Sequence, residues 1–478
     1  MKKVYIFLLL SSLFHASCTS GFENINSNPN DPTSVDPEFI LRQVIYNLGE
    51  EMSYEGFVAG NLLAQHFTMV DFNLFDRHAL TDPQLGGNPW PILYKNLRDL
   101  ELLISSLEGQ PELAHYEGPA RILKAYAIMN LTDIYGDVPV FDAFSGDSGI
   151  SQPAYDEQSD IYLSDDGIKR NLTQGLALLK AAATQSLELK GDILYQGNFD
   201  HWIKFGNSLL FKMYIRIADA ETDSSGIFDL FLENDFILEQ AENATFDFTD
   251  LPPNSFRMQQ LRDGDFNLFV MSETMEEILE DLDDPRREVL FRPSGNGATE
   301  YNGLLNGPDA SSTSITVSDY SLPGTIFRDH TGDLDANFLT AWEMEFLLAE
   351  AGTVGHVFTD PQPHYERGIQ LAFEYWGLEM PEEYLDGNAA FGANGADKLE
   401  QIITQKWIAN SINGYEGWIE YRRTGFPQLK TVSSSLNNGL IPTKMPYPAE
   451  EEALNFDNFS EATSQDGNSI NVNVWWDN

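Results

Sequence analysis

Two segments of the chain combine aromatic side chains with amide, carboxylate and guanidinium groups, a mixture suited to binding sugars. Sugar rings stack their apolar C–H faces on aromatic side chains, and Asn, Asp and Arg read the hydroxyl groups by hydrogen bonds. The first segment, residues 67–90, contains Phe72, Asn73, Phe75, Arg77 and Trp90. The second, residues 301–328, contains Tyr301 and Tyr320. We therefore predict that these seven residues contact a glycan ligand.

Trp90 is predicted to be a stacking platform. It lies between Pro89 and Pro91, immediately before a helical pattern, and prolines stiffen the backbone while removing two hydrogen-bond donors. We therefore expect the indole to face outward. The alternative is a tryptophan that packs beneath the start of the helix.

Motifs for catalysis or metal binding are incomplete. Residues 146–149 resemble part of the nucleophile loop of trypsin-like proteases, but the helical pattern of the chain offers no β-barrel to complete a triad. Asp263 and Asp265 begin like a calcium-binding loop, yet Leu268 replaces the turn glycine and Thr274 replaces the bidentate glutamate. The chain also contains no H-E-x-x-H or C-x-x-C motif. We predict no enzyme, no metal and no cofactor.

The acidic composition argues against nucleic acid and anionic lipid surfaces as partners, and it makes a catalytic pair of carboxylates hard to recognise. The chain has 74 acidic and 28 basic residues and a net charge of −46, a field that repels nucleic acid and anionic lipid headgroups. With so many carboxylates, pairs such as Asp333 and Asp335 arise by composition alone. Sequence spacing does not show whether two carboxyl groups face each other across a cleft, so a secreted glycoside hydrolase stays open as an alternative.

The N-terminus predicts export and a lipid anchor. Lys2 and Lys3 precede a short apolar run over residues 4–14, and small residues lead to Cys18, the only cysteine in the chain. This order is typical of a signal peptide, and the run is shorter than the ~20 apolar residues that span a bilayer. We predict a signal peptide at residues 1–17, lipid attachment at Cys18, and a tether over residues 18–35 rich in Asn and Pro.

Hydrophobic periodicity predicts a mainly α-helical protein beyond the tether. Apolar residues recur at intervals of three and four, which is the spacing of one face of a helix. The predicted helices span residues 37–50, 90–108, 117–135, 165–187, 200–219, 336–351, 362–376, 396–412 and 414–422. From residue 90 onward they form four pairs joined by short connections, as in a tetratricopeptide-type scaffold, so we expect a single domain over residues 36–478.

Long helix-poor stretches interrupt this scaffold. They are rich in Gly, Pro, Asn, Asp and aromatic residues, and long loops inside a compact domain are usually functional. They span residues 68–89, 136–164, 241–271, 284–335 and 424–478. We expect the ligand to bind there.

Several motifs along the chain resemble the SusD/RagB family of outer-membrane nutrient-binding lipoproteins, particularly its second SusD-like subfamily. The resemblance covers nearly the whole mature chain and is specific in combination. Its motifs are the tether at residues 24–33, LTDIYGDVP at 131–139, residues 153–162, DHWIKFGNSLLFKMYIR at 200–216, DPRR at 284–287, EFLLAEA at 345–351, QKW at 405–407, EGWIEYRRTG at 416–425, and residues 441–448.

The resemblance implies a fold, a location and a partner. It implies about four tetratricopeptide-like helix pairs with long irregular loop insertions, a surface glycan site, and attachment to the cell outer membrane by lipid alone. It also implies docking on a SusC-like TonB-dependent transporter that receives the captured oligosaccharide. Within the matching motifs, Arg422 and Arg423 are expected to pair with acids, and Trp407 and Trp418 are expected to pack in the core.

Two alternatives to a glycan-binding lipoprotein stay open from sequence. One is the glycoside hydrolase. The other is a transporter lid with little affinity of its own, which handles peptides or other nutrients selected by the transporter.

Overall fold

A computed structural model describes residues 35–80, 86–221, 225–233, 235–295, 299–312, 314–392 and 397–477. The predicted signal peptide, Cys18 and residues 19–34 of the tether lie outside the described residues. None of the described helices is long and apolar enough to cross a membrane.

The described part of the chain is mainly helical. Its α-helices of six residues or more are α1 (Pro37–Glu55), α2 (Trp90–Ser106), α3 (Glu117–Tyr135), α4 (Gln158–Leu163), α5 (Ile168–Ala183), α6 (Phe199–Arg216), α7 (Ser225–Glu233), α8 (Glu273–Asp281), α9 (Ala341–Val354), α10 (Pro361–Tyr375), α11 (Lys398–Ala409), α12 (Gly414–Thr424), α13 (Ala449–Leu454) and α14 (Phe456–Ala462). Helix α1 continues through a π-helical turn, Gly56–Gly60, into Asn61–Leu63.

The predicted helix pairs are confirmed. Helix α2 packs on α3, α5 on α6, α9 on α10 and α11 on α12, and α3 also packs on α5. Glycines allow the α3–α5 contact, because a Cβ atom at Gly118 would lie 2.8 Å from Leu179 and one at Gly175 would lie 3.0 Å from Ile122. The chain therefore has the predicted helical-repeat scaffold with loop insertions.

Short local signals set the helix ends. Asn198 accepts hydrogen bonds from the amides of Asp200 and His201 at the start of α6, and Asp397 caps α11 in the same way. Side-chain acceptors at this position satisfy backbone N–H groups that have no partner within the helix. Gly425 ends α12 with a φ of +76°, a conformation that suits glycine.

One predicted helix is partly wrong. The segment predicted to be helical at residues 336–351 begins as a strand, β4 (Asp335–Leu339), and α9 starts only at Ala341. Strand β4 pairs antiparallel with β2 (Ala244–Asp247). This pairing partner lies about 90 residues away in the chain, so the local apolar pattern did not reveal it. Short helices also occur in stretches predicted to be helix-poor, namely α4, α13 and α14.

A second two-stranded sheet lies where the loop insertions meet the scaffold. Strand β1 (Phe67–Met69) pairs antiparallel with β3 (Phe269–Met271), and Phe67 opposes Met271. All six residues of this pair are buried. The sheet therefore fixes the start of the loop that carries four of the predicted ligand residues.

Buried charges join the helices at the centre of the fold. Arg216 on α6 contacts Glu416 and Glu420 on α12 at 2.7 and 2.8 Å, and Asp133 on α3 at 3.4 Å. Lys212 contacts Glu416 at 3.0 Å. Burial alone would raise the pKa of Glu416, but Arg216, Lys212 and the nearby Lys406 outweigh burial and lower it.

The same cluster extends to α9, α11 and the C-terminal segment. Arg423 contacts Glu350 and Glu420 at 2.5 and 2.6 Å, and Arg422 donates to the backbone carbonyl of Asp133 at 2.7 Å. We call the whole set the ionic core, and all of its members except Glu343 lie within the family motifs or at the C-terminus. They are Asp133, Lys212, Arg216, Glu343, Glu350, Lys406, Glu416, Glu420, Arg422, Arg423 and Asp477. The expected pairing of Arg422 and Arg423 with acids is confirmed, as is the burial of Trp407 and Trp418.

Glu416→Gln tests the ionic core. Removing one partner of a buried ion pair leaves an uncompensated charge and typically costs about 3–5 kcal/mol. We expect a loss of this size in the free energy of unfolding, measured by urea denaturation. The matched control, Glu112→Gln at an exposed position, should change it by less than about 0.5 kcal/mol. Equal, small effects of both substitutions would contradict a structural role for the cluster.

Candidate functional site

Three segments of the loop insertions meet beside strands β1 and β3. They are residues 67–80, 299–312 and 429–441. The amide of Leu304 donates to Met271 O at 2.9 Å, which joins the second segment to β3. The amide of Leu436 donates to the carbonyl of Arg77 at 2.7 Å, which joins the third segment to the first.

Asp76 holds the junction of the first two segments. Its carboxylate is buried and accepts hydrogen bonds from Thr68 Oγ1 at 2.6 Å, Asn306 Nδ2 at 2.7 Å and Gly307 N at 2.8 Å. Burial raises the pKa of Asp76, and these hydrogen bonds oppose the rise. The arrangement fixes the backbone of both segments from within, so that their outer faces are preorganised.

Two of the predicted ligand residues face this interior. Asn73 is 5% exposed and donates through Nδ2 to Met69 O and Pro308 O, at 3.1 and 2.6 Å. Phe75 is also 5% exposed, and its ring lies against Gly87, where a Cβ atom would come within 2.5 Å. Both side chains hold the loop together instead of lining its outer face.

Phe72 stands at the tip of the first segment. Its side chain is 62% exposed, and its backbone has a φ of +51°, which is unusual for a bulky residue. The amide of Phe72 donates to Asp71 Oδ1 at 2.8 Å, which supports this conformation. Backbone strain of this kind costs about 1–3 kcal/mol and is concentrated at functional sites. Phe72 therefore offers an aromatic face to solvent at a position fixed by its neighbours.

Charged groups lie on or next to the segment that carries Phe72. Arg77 donates through Nε to Ser434 O at 2.9 Å, and its Nη1 lies 3.8 Å from Asp309 Oδ1. Asp309 also accepts from the amide and hydroxyl of Ser311, at 3.0 and 2.7 Å. Since Asn73 bonds to Pro308, Asp309 is held next to the loop that carries Phe72.

Tyr301 lies near the start of the segment 299–312. It lines a cavity of about 300 Å³ together with Asn302, Arg287, Glu276 and Glu280, and the guanidinium of Arg287 lies 5.5 Å from its ring centroid. Gly303 N donates to Glu276 Oε2 at 2.8 Å. An aromatic ring, an amide and charged groups thus share one opening.

Tyr320 lies near this cavity. Ser321 N donates to Asn302 O at 2.8 Å, and Asn302 Nδ2 donates to Asp319 O at 3.1 Å, so residues 319–321 run beside Asn302. Asp309 follows Tyr301 by eight positions, a distance of at most about 29 Å in a fully extended chain. We call the outer face of these segments, together with Arg287 beside Tyr301, the loop surface. It contains Phe72, Arg77, Asp309, Tyr301, Asn302 and Arg287.

Trp90 does not face outward. Its side chain is 7% exposed, and its ring packs against Tyr94, Tyr135 and Tyr447 at centroid distances of 4.8, 5.0 and 6.0 Å. The prediction of an outward platform is wrong, because Tyr135 from α3 and Tyr447 from the C-terminal part of the chain cover the indole. These are long-range contacts that the flanking prolines do not indicate.

Sequence reasoning missed two residues of the loop surface. Asp309 lies in a turn of small residues that carries no aromatic signal. Arg287 belongs to the DPRR motif at residues 284–287, in which its neighbour Arg286 is fully buried against Asp284. That motif marks a structural ion pair, and only the fold shows that its last arginine reaches a cavity.

Glu55 ties the end of the first loop to helix α1. Its buried carboxylate accepts from Gly87 N through Oε2 at 2.6 Å. Burial raises the pKa of Glu55 from 4.5 to about 7, and hydrogen bonds from Gly87 and Asn88 oppose the rise. The carboxyl group therefore binds its proton more tightly in the folded chain than in the unfolded chain.

The pKa of Glu55 predicts a pH dependence of stability. A raised carboxyl pKa makes the folded state lose stability as pH rises from about 4.5 to about 7. Glu55→Gln removes this titration, so stability of the variant relative to wild type should rise by about 2 kcal/mol between pH 5.5 and pH 8. Urea unfolding at both pH values measures the difference. A difference that stays constant with pH would contradict the burial of this carboxyl group.

The described residues provide no evident metal centre. Among them, no group of three or more His, Cys, Asp or Glu side chains is arranged to hold a metal ion.

A protein-family model matches most of the chain. The model of the second SusD-like family, described as starch-binding and associating with the outer membrane, matches residues 29–448. A comparison with curated proteins finds no significant match.

Solved structures share the fold. A SusD homolog from Bacteroides fragilis superposes with a TM-score of 0.78 at 21% identity, covering 93% of this chain and 99% of its own. A chitin-binding SusD homolog from Flavobacterium johnsoniae gives 0.76 at 21% identity, covering 92% and 98%. A further chitin-binding protein gives 0.76 at 24% identity, covering 92% and 100%.

Proposed function

The chain belongs to the SusD-like family of starch-binding proteins that associate with the outer membrane, and from this premise we propose that it captures oligosaccharides at the loop surface without cleaving them. The observation that carries the proposal is the exposed ring of Phe72, held at positive φ next to Asp71. The same segment carries Arg77, whose guanidinium lies 3.8 Å from Asp309. Stacking on the ring and hydrogen bonds to these polar groups suit a sugar.

The scaffold supports binding because the loop surface is fixed before the ligand arrives. Asp76 and Asn306 hold the two segments from inside, so little conformational entropy is lost when sugar rings bind. We propose that Phe72 and Tyr301 mark the two ends of this surface, so that an extended oligosaccharide contacts both.

The charge distribution favours neutral over polyanionic glycans. Asp71, Asp309, Glu276 and Glu280 lie on or beside the loop surface, and the whole chain carries a net charge of −46. This negative charge would repel a polyanionic glycan everywhere except near Arg77 and Arg287. We therefore expect starch-like or chitin-like polymers to bind in preference to acidic ones.

A hydrolase would use the carboxylates of the Tyr301 cavity. Glu276 and Glu280 lie one helical turn apart on α8, whereas Glu300 lines the cavity from the segment 299–312. A glycosidase holds two carboxyl groups on either side of the bond. Glu276 also accepts a hydrogen bond from Gly303 N, a structural contact. The match to a family described as starch-binding supports a binding protein over the hydrolase.

Delivery is the further part of the proposal. The family resemblance supports lipid attachment at Cys18 and docking on a SusC-like TonB-dependent transporter that takes up the captured oligosaccharide. We also propose that residues 36–478 act as one domain, with residues 18–35 as a tether to the membrane.

Phe72→Ala should weaken glycan binding without destabilising the fold. Loss of one stacked ring costs about 1–3 kcal/mol by analogy with bases stacked on aromatic residues, or about 5- to 150-fold in affinity. Isothermal titration with oligosaccharides of glucose and of N-acetylglucosamine measures the change, and thermal unfolding should be unaltered. The matched control is Phe39→Ala, because Phe39 is 57% exposed and lies on α1.

Other outcomes of this titration would contradict the proposal. Equal binding by wild type and Phe72→Ala would remove the loop surface as the site. No glycan binding by the wild-type chain would favour the transporter lid that lacks affinity of its own. Release of reducing ends from the oligosaccharide would favour the hydrolase.

Cys18→Ala should release the protein from the membrane fraction. The predicted acylation site is lost, while residues 37–477, which contain the helices, are unchanged. Cell fractionation followed by circular dichroism of the released protein measures both effects. Retention of the folded variant in the membrane fraction would contradict lipid anchoring at this residue.

A further inference from the structure

A second cavity with aromatic and amide walls lies apart from the loop surface. Its volume is about 390 Å³, within the range of roughly 300–1,000 Å³ that is typical of small-molecule sites. It is lined by Asn88, Tyr135, Met445, Tyr447, Phe459 and Asn468, among others. None of its lining residues lines the cavity at Tyr301.

The walls of this cavity are rigid. Trp90 packs edge-on behind Tyr135 and Tyr447. Asn468 holds the backbone of Tyr447 by two hydrogen bonds, accepting from its amide at 2.8 Å and donating to its carbonyl at 3.1 Å. The hydroxyl of Tyr447 donates to Asp137 O at 2.7 Å. A ligand would therefore meet a preformed surface.

The polar groups of the cavity suit hydroxyl groups. The hydroxyl of Tyr135 accepts from Trp90 N at 3.3 Å and donates to Asn88 Oδ1 at 3.4 Å, both long for hydrogen bonds. A ligand hydroxyl could compete with either contact. Glu450 and Glu452, both exposed, add acceptors at the rim.

The remaining lining excludes other ligand classes. None of the described residues that line the cavity is Lys, Arg or His, so the lining itself offers an anion no positive charge. The nearby Lys444 Nζ lies 4.7 Å from the centroid of the Tyr447 ring. Phe459 and Met445 supply apolar surface next to the amides and carboxylates, whereas a purely apolar ligand would leave those polar groups unpaired. The apolar patches suit the C–H faces of a sugar ring, and the amide, hydroxyl and carboxylate groups between them suit its hydroxyl groups.

We propose that this cavity is a second saccharide site, which takes one or two rings of a neutral glycan. The inference rests on the proposed function, because it assumes that glycans are the ligand. The two sites are linked through one loop, since Phe75 of the first segment lies against Gly87, which lines the cavity. Two such sites on one chain would bind a polymer more tightly than a short oligosaccharide. Once one part of the polymer is bound, the rest of it is held at high local concentration near the other site.

The test introduces a bulky side chain at the rim of the cavity. Ala449 is exposed, begins α13 and lines the cavity, so Ala449→Trp adds bulk there without removing a packed side chain. Leu454→Trp is the matched control, because Leu454 lies on the same helix, is 71% exposed and does not line the cavity. Both variants, and each combined with Phe72→Ala, are titrated with disaccharides and hexasaccharides of glucose and of N-acetylglucosamine.

We expect two binding events for disaccharides on the wild-type chain. Ala449→Trp should remove one and Phe72→Ala the other, while Leu454→Trp should leave both. Hexasaccharide affinity should fall at least tenfold in Ala449→Trp. Phe459→Ala provides a second variant if Ala449→Trp proves unfolded by circular dichroism, since it removes apolar lining and should have the same effect.

Two outcomes would overturn the inference in distinguishable ways. If Ala449→Trp and Phe459→Ala bind as wild type does, while Phe72→Ala loses all binding, the second cavity takes no sugar and the proposed function stands. If the wild-type chain binds none of these oligosaccharides, the proposed function fails together with the second site.

Discussion

The ionic core is the constraint on which the rest of the structure depends. Arg216 and Glu416, together with the charges packed around them, lie between helices α3, α6, α9, α11 and α12, and almost none of their surface reaches water. Buried charges tolerate few geometries, because each must keep its partner to offset the loss of hydration. The cluster therefore favours one arrangement of helices that are far apart in sequence, and this arrangement sets the positions from which the loops emerge.

The loops extend this fixed frame to the surface. Strands β1 and β3 pair at the edge of the scaffold, and the Asp76 carboxylate connects the loop after β1 to the segment around Asn306. Because the loops are already ordered, individually weak contacts such as a stacked ring and several hydrogen bonds can contribute together to binding. Aromatic groups inside the loops serve two purposes. Phe72 faces solvent, whereas Phe75 and Trp90 support the backbone from within.

The sequence was sufficient for the helical architecture and only partly sufficient for the site. Periodicity located the long helices because their burial depends on local spacing, and it failed at residues 336–339, where a distant strand decides the conformation. Composition pointed to loop segments in which Phe72, Arg77 and Tyr301 reach the outer face. It did not separate exposed from buried side chains: Asn73, Phe75 and Trp90 have the same chemistry but lie inside. That distinction depends on contacts with Pro308, Gly87 and Tyr447, none of which a local pattern contains.

The central claim is that fixed loops on a rigid helical frame hold the glycan. Hydrogen–deuterium exchange with and without a saturating oligosaccharide tests this claim most directly. Helices α6, α9 and α12 around the ionic core should be strongly protected in both states. Added protection should be confined to the loop segments 67–80, 299–312 and 429–441 and to the residues around the second cavity. Ligand-induced protection spread through α6, α9 and α12, with the loop segments unchanged, would contradict the account.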